Sequence, residues 1–165
     1  MARILIVGGG CRGRRLASEV VQEGNPVRIS TRSEAGRSAI EAAGAECWIG
    51  TPDRLATLRA ALEGVAILCW LLGAAAGAEA ELRELHTSRL SFFLTQAIDT
   101  TVRGFVYEAR GTASPPELLA EGEVIARALT GQNAIPATFL ASDPADGVAW
   151  LAEARGAIDS LLRGG

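Results

Sequence analysis

A glycine-rich segment near the start of the chain has the residue types and spacing of a phosphate-binding loop. It matches G-x-G-x-x-G with Gly8, Gly10 and Gly13 as its glycines, directly after an apolar run and at the start of a helical pattern. Gly8 allows a tight turn, Gly10 lets a pyrophosphate approach the backbone, and Gly13 lets helix and strand pack closely. Because backbone N–H groups and the positive end of a helix then face the phosphates, the segment predicts a dinucleotide site.

Two side chains inside this loop have types that can act on a phosphate or a substrate. Arg12 can reach the same phosphate group, since a guanidinium pairs with phosphate oxygens. Cys11 lies at the helix start, where a small residue fits beneath a phosphate. A thiolate would be stabilised at that place, so a reactive cysteine is the alternative for Cys11.

The end of the second predicted strand favours one dinucleotide over the other. A protein that binds NAD usually carries Asp or Glu there, hydrogen-bonded to the ribose. In this chain the place falls at Thr31, followed by Arg32. A neutral residue removes repulsion against a 2′-phosphate, and a guanidinium pairs with it. We therefore expect NADP as the cofactor, with NAD as the alternative; nearby Arg37 can take the role of Arg32, which is otherwise solvated.

Further candidates for cofactor contact come after the third and fourth predicted strands. In open α/β sheets ligands bind beyond the carboxyl ends of the strands, where the strand order reverses. Thr51 lies at one such end, and Leu72 and Gly73 lie at the next. We expect Leu72 and Gly73 to pass close to the nicotinamide-side ribose, with a flexible loop as the alternative.

Two residues near the same rim have side chains that can carry a proton. Glu108 comes after the fifth predicted strand and can bind or protonate a substrate, with a structural ion pair to Arg110 as the alternative. His86 is the one histidine and falls in the loop-to-helix region after the fourth strand. It is predicted either to contact substrate or to be a solvated surface residue. A multi-histidine metal site is excluded, and we expect no metal.

Composition excludes several classes of function. The chain has 165 residues, 48% of them hydrophobic, and a net charge of −3, so it can build a core and lacks the basic footprint of a nucleic-acid binder. All 16 basic residues are arginine, which excludes a lysine Schiff base and a P-loop lysine. Three dispersed cysteines, no signal-peptide pattern and no apolar run of ~20 residues predict a cytoplasmic protein with reduced thiols and no membrane span.

Apolar runs of strand length alternate with helical patterns along the whole chain. Runs without polar interruption are typical of strands that helices cover on both faces of a parallel sheet. The strands are predicted at 4–7, 27–30, 45–49, 66–71, 104–107 and 135–140. Helices are predicted near 13–23, after a cap at Asp53, over 80–101, from Ser114, and from Asp143 to the end. We expect a three-layer, doubly wound, six-stranded parallel α/β sheet, a Rossmann fold, as one domain over 1–165.

These residues resemble a known family. The segments 3–17 and 24–33 are similar to the opening of atypical, extended-like short-chain dehydrogenase/reductases, often described as NAD-dependent epimerases. The stretch from Gly50 to Leu55 resembles the family's G-D-x-x-D-x-x-x-L pattern, and 103–107 resembles its fifth strand. The resemblance implies the cofactor fold, with the glycine loop as its specific motif.

The chain differs from this family in residues that the family uses for catalysis and for substrate binding. The family's catalytic pair is a tyrosine and, four residues later, a lysine, whereas this chain has no lysine and only Tyr107, inside a strand. The acidic residue expected near Thr51, which contacts the adenine, is displaced or absent. The family's C-terminal substrate subdomain is reduced to one helix, so the chain is predicted to be a truncated form.

The residues are consistent with three hypotheses for function. The first is an atypical reductase or epimerase-like enzyme that transfers hydride to a small carbonyl or sugar-like substrate, with protons from water, Glu108 or His86. The second is a non-catalytic module that senses NADP(H) or binds a partner. The third is a subunit whose site is completed by another chain. Phe92 and Phe93 cannot both point inward from one helix, so we expect an exposed aromatic and a homodimer.

Overall fold

The computed structural model describes residues 2–164. Its strands are β1 Arg3–Gly8, β2 Val27–Thr31, β3 Glu46–Ile49, β4 Val65–Leu71, β5 Gly104–Glu108 and β6 Ala137–Leu140. Its α-helices are α1 Gly10–Gln22, α2 Arg37–Ala42, α3 Glu79–His86, α4 Ser88–Ile98, α5 Pro116–Gln132 and α6 Gly147–Gly164. Short 3₁₀ turns lie at Glu34–Gly36, Leu55–Thr57 and Arg59–Leu62.

The six strands form one parallel sheet in the order β3-β2-β1-β4-β5-β6. The strand order reverses between β1 and β4, which is the point where ligands bind in doubly wound folds. Gly8 is paired with Leu71, and Glu108 is paired with Leu140, so the carboxyl ends of these strands lie along one edge. The predicted three-layer Rossmann fold is confirmed.

Helices cover both faces of the sheet and produce two apolar cores. One core lies under α1, α2 and α6 and includes Leu16, Ile40 and Trp150. The other lies under α3, α4 and α5 and includes Trp70 and Phe93. Strand β4 is buried along its whole length, because it lies at the middle of the sheet with helices on each side.

The segment predicted as one helix over 80–101 consists of two helices. Helix α3 ends at His86 and α4 begins at Ser88, with Thr87 between them at φ −126° and ψ −87°. The Thr87 hydroxyl donates to the carbonyl of Arg83, a side-chain bond that competes with the helical pattern. The apolar residues keep a helical spacing across this break, so their pattern does not reveal it.

Two other helix predictions differ from the structure. Asp53 does not cap a helix; 3₁₀ turns come after it, although Leu58 and Leu62 are buried as the pattern indicates. Helix α6 begins at Gly147, because the carboxylate of Asp146 accepts the N–H of Ala149 and caps the helix there, whereas the Asp143 carboxylate accepts the N–H of Ala145 in a turn before it. Strand β6 begins after Pro136, which has no N–H to donate to a neighbouring strand.

Candidate functional site

The turn from β1 into α1 consists of three consecutive glycines in the left-handed region. Their φ angles are 86° at Gly8, 89° at Gly9 and 55° at Gly10. The Gly9 N–H donates to the carbonyl of Leu71 over 2.7 Å, and the Gly13 N–H donates to the carbonyl of Gly9 over 2.9 Å. L side chains rarely adopt this conformation, so the turn depends on glycine and is fixed against the end of β4.

The space around these glycines differs from one to the next. A Cβ on Gly8 would lie 2.5 Å from the carbonyl oxygen of Leu71, and one on Gly13 would lie 3.2 Å from that of Gly8. A Cβ on Gly10 would meet no atom within 4 Å. The backbone is therefore packed tightly toward the sheet and open at Gly10, where a ligand can approach it.

The first turn of α1 has the properties of an anion site. It has no acidic residue and no side-chain cap, so the N–H groups at the helix start keep their hydrogen-bonding capacity. The helix dipole adds positive potential at the same place. A cavity of about 360 Å³ lies against it, lined by Gly8, Gly9, Gly10, Cys11, Arg12, Leu71, Leu72, Ala74 and Ala75.

Arg12 extends from the glycine loop toward β5 and α6. Its Nη1 donates to the carbonyl of Pro144 over 3.2 Å, and its Nη2 lies 3.5 Å from the Glu108 carboxylate. The guanidinium also stacks on Trp150, with its carbon 4.7 Å from the ring centroid. Its side chain is 26% exposed, so part of the guanidinium still faces solvent.

Glu108 is enclosed at the end of β5, with a relative exposure of 2%. Its carboxylate accepts the N–H of Gly73 and the indole N–H of Trp150, each over 2.6 Å. Burial raises the pKa of Glu108, and the bonds from Trp150 and Gly73 and the charge of Arg12 act in the opposite direction. Arg110, the alternative partner expected for Glu108, instead donates to the carbonyl of Ala141. The predicted ion pair between Glu108 and Arg110 is therefore wrong.

His86 is in the core, away from the rim where we expected it. Its side chain is fully buried, and its Nδ1 lies 2.9 Å from the hydroxyl of Tyr107. Among the described residues, no group meets the geometry of a hydrogen bond to Nε2. Burial lowers the pKa of His86 to about 4, with the Leu72 backbone acting in the opposite direction. The imidazole is therefore neutral at physiological pH.

The loop after β4 is closed against the loop after β5. Leu72 is buried, and a Cβ on Gly73 would lie 2.6 Å from the Glu108 carboxylate. The N–H of Ala113 donates to the carbonyl of Gly73 over 3.3 Å. Gly73 is thus required for close packing between two loops, and its own N–H is used by Glu108.

Residues at the ends of β2 and β3 form a second group. Arg32 lies 2.5 Å from the carboxylate of Asp53, and Thr51 accepts the N–H of Asp53 with its hydroxyl. Thr31 packs its hydroxyl against Gly36, and Arg37 is held by two bonds to Glu34. The structure thus brings Arg32 and Thr51 together through Asp53, and neither of them lines the glycine-loop cavity.

Cys11 is exposed at the first turn of α1. The guanidinium of Arg14 lies 3.1 Å from its sulfur, one helical turn away. Cys69, in contrast, is in the core, where burial raises the pKa of its thiol to about 12. Of the cysteines, Cys11 is therefore the one that borders the cavity.

Sequence reasoning missed two residues of this site. Trp150 joins Glu108 and Arg12, and a signal for it existed, because a buried indole N–H needs an acceptor. Asp53 pairs with Arg32, whereas the sequence indicated it as a helix cap and as part of the family-like stretch from Gly50 to Leu55. Both contacts join elements far apart in the chain, so local patterns do not show them.

No protein-family model matches this chain, and no curated protein matches it in sequence. Solved structures do match it. Triphenylmethane reductase of Citrobacter sp., complexed with NADP(H), has a TM-score of 0.60 and 21% identity over 82% of this chain and 48% of its own. UDP-glucose 4-epimerase of Thermotoga maritima, with UDP-glucose, has a TM-score of 0.65 and 12% identity over 83% and 54%.

Vestitone reductase of alfalfa, with a TM-score of 0.59, is 16% identical over 84% of this chain and 56% of its own. The chain therefore spans about half the length of these structures. At such identities the likeness establishes the fold alone, which is a Rossmann fold. In the described part of the chain, no helix is both long and apolar enough to cross a membrane.

Replacement of Gly8 by alanine tests the tight contact between the turn and β4. We expect Gly8→Ala to lower the free energy of unfolding by about 2 kcal/mol or more, because it combines a left-handed φ with a clash against backbone. Gly24→Ala, which also has a positive φ but open space, should cost about 1 kcal/mol. Chemical denaturation measures both, and equal losses would contradict the contact.

Stability should fall in acid because of His86. Its pKa is about 4 in the folded chain and about 6.5 when unfolded, so the unfolded state binds more protons between these values. Its contribution to the free energy of unfolding is intact above pH 6.5 and decreases by about 3 kcal/mol as the pH falls to 4. Denaturation at several pH values should show a flatter dependence for His86→Asn; parallel curves would contradict the assignment.

Proposed function

We propose that this chain binds NADP(H) with its diphosphate at the start of α1. The observation that carries the proposal is the turn of three left-handed glycines, which is open at Gly10 and lies at the strand-order reversal. The cavity beside it and the uncapped helix start supply space and N–H donors for phosphate oxygens. Arg12 also lines this cavity, although its guanidinium lies toward β5 and α6, beside Glu108 and Trp150.

The proposed contact for the 2′-phosphate is Arg32, at the end of β2. Its side chain is 70% exposed and lines a cavity beyond the sheet edge. Arg37 is less suited, because Glu34 occupies its guanidinium with two hydrogen bonds. The proposed cofactor surface, with NADP preferred to NAD, is completed by Thr31, Thr51, Leu72 and Gly73.

Catalysis and binding without turnover are the two candidate roles of a bound dinucleotide. In the reductase hypothesis, hydride passes to a small carbonyl or sugar-like substrate, and Glu108 or His86 supplies the proton. A specific observation favours the second hypothesis, binding without turnover. Glu108 already accepts two hydrogen bonds beside Arg12, and His86 is fully buried, so neither proton carrier faces an open cavity.

We also propose that the chain forms a homodimer through α4. Phe93 is buried whereas Phe92 is 58% exposed, beside a cavity of about 550 Å³ between α4 and the turn before β4. Arg59 and Asp99 lie on the same face and carry opposite charges. A two-fold axis would place each of them against the other chain's opposite charge.

Fluorescence titration with NADPH and NADH tests the binding proposal. We expect tighter binding of NADPH, and a loss of about tenfold or more in affinity for both dinucleotides in Gly10→Asp, because a carboxylate there repels the phosphates. Gly131→Asp makes the same change in an exposed part of α5 and should bind normally. Failure of the unchanged protein to bind either dinucleotide would contradict the proposal.

The same preparation separates the two candidate roles. NADPH consumption is measured with a panel of aldehydes, ketones and sugar nucleotides. Turnover that falls in Glu108→Gln, with NADPH affinity unchanged, supports the reductase hypothesis. Tight binding with no turnover on any substrate supports the sensing hypothesis.

Analytical ultracentrifugation tests the dimer. The unchanged protein should sediment as a dimer and Phe92→Ser as a monomer, because the variant removes the exposed aromatic at the proposed interface. Val148→Ser is the matched control, since Val148 is 81% exposed on α6 and lies outside this face. A monomeric unchanged protein at micromolar concentration would exclude the interface.

A further inference from the structure

A cavity of about 510 Å³ lies beyond the ends of β2 and β3. It is lined by Arg32, Asp53, Ala76, Glu81, Glu84 and Arg89. In doubly wound sheets the adenosine part of a dinucleotide lies along this side of the crevice. The cavity therefore has the place of an adenosine-ribose site, but its charges are mixed, with two guanidinium groups and three carboxylates.

The turn that carries Asp53 is held in place from two sides. The N–H of Asp53 donates to the hydroxyl of Thr51 over 3.2 Å. The carbonyl of Asp53 accepts a bond of 2.7 Å from Arg89, which also binds the carbonyl of Pro52 and the carboxylate of Glu84. The Asp53 side chain is thus presented to Arg32 by a fixed backbone.

Arg89 and Arg32 differ in how many of their hydrogen-bond donors are used by neighbouring residues. The Arg89 guanidinium donates to the carbonyls of Pro52 and Asp53 and to the carboxylate of Glu84, and so holds the turn in place. Among the described residues, Arg32 has Asp53 as its one ion-pair partner, at 2.5 Å, with side-chain exposures of 70% and 43%. An exposed pair of this kind is weak, so a phosphate dianion can displace the carboxylate from Arg32.

The Asp53 carboxylate favours an unphosphorylated ribose and disfavours a 2′-phosphate beside Arg32. The carboxylate can accept hydrogen bonds from the free hydroxyls of an unphosphorylated ribose. It repels a 2′-phosphate and competes with it for Arg32. Resting on the proposed dinucleotide function, we propose that Asp53 is a specificity-determining residue that lowers the preference for NADP over NAD by competing with the 2′-phosphate for Arg32.

The variant Asp53→Asn tests this competition, because it removes the charge and retains the shape. We expect NADPH to bind about three- to tenfold more tightly and NADH to bind more weakly, measured by fluorescence titration at fixed ionic strength. Glu81→Gln is the matched control, since it removes a charge from the same cavity without touching Arg32, and its NADPH-to-NADH affinity ratio should change less than about twofold.

A double-mutant cycle separates competition from general charge repulsion. In an Arg32→Ala background there is no guanidinium to compete for, and only the direct repulsion of the 2′-phosphate and the ribose hydrogen bonds remain. Asp53→Asn should therefore change the affinity ratio by a smaller factor than it does when Arg32 is present. An unchanged ratio in Asp53→Asn, or an equal change with and without Arg32, would overturn the inference and leave dinucleotide binding intact. Failure of the unchanged protein to bind either dinucleotide would overturn both the proposed function and this inference.

Discussion

A buried carboxylate joins four parts of this molecule. Glu108 ends β5, and its oxygens accept the N–H of Gly73 after β4 and the indole N–H of Trp150 on α6. Arg12, from the glycine loop, lies beside it and stacks on the same indole. An ionised carboxylate at this depth would be very costly without such partners, so their positions depend on one another. Glu108 thereby fixes the relative positions of the glycine loop, the ends of β4 and β5, and helix α6.

The loops along the carboxyl edge of the sheet differ in how closely they pack on the two sides of this network. On the side of β1, β2 and β3, cavities border the glycine loop and the pair formed by Arg32 and Asp53. On the side of β5, Gly73 and Glu108 pack together and the loops after β4 and β5 are bonded to each other. Another cavity, of about 440 Å³, borders Arg12, Trp150 and the start of α6. For the proposed dinucleotide function, the open part of the edge is the part that would bind the diphosphate and the adenosine, whereas the loops after β4 and β5 are packed together.

Structural likeness and local chemistry carry different information here. The solved reductases and the epimerase share the sheet and its helices with this chain, which spans about half of their length. A shared Rossmann fold supports many activities, so function has to be argued from the residues at the site. In this chain those residues include Arg12, Glu108 and Trp150, and Tyr107 lies within β5, where its hydroxyl meets buried His86.

Periodicity and the glycine spacing alone determined the six strands, their parallel arrangement and the position of the glycine-rich turn. These features depend on contacts between near neighbours in the chain, or on burial that marks every residue of a strand. The tertiary structure decided the rest: Glu108 meets Arg12 and Trp150 instead of Arg110, His86 enters the core, and Asp53 meets Arg32. Such contacts join residues far apart in the chain, and no local pattern encodes them, because partner choice is settled only when the sheet order brings the strand ends together.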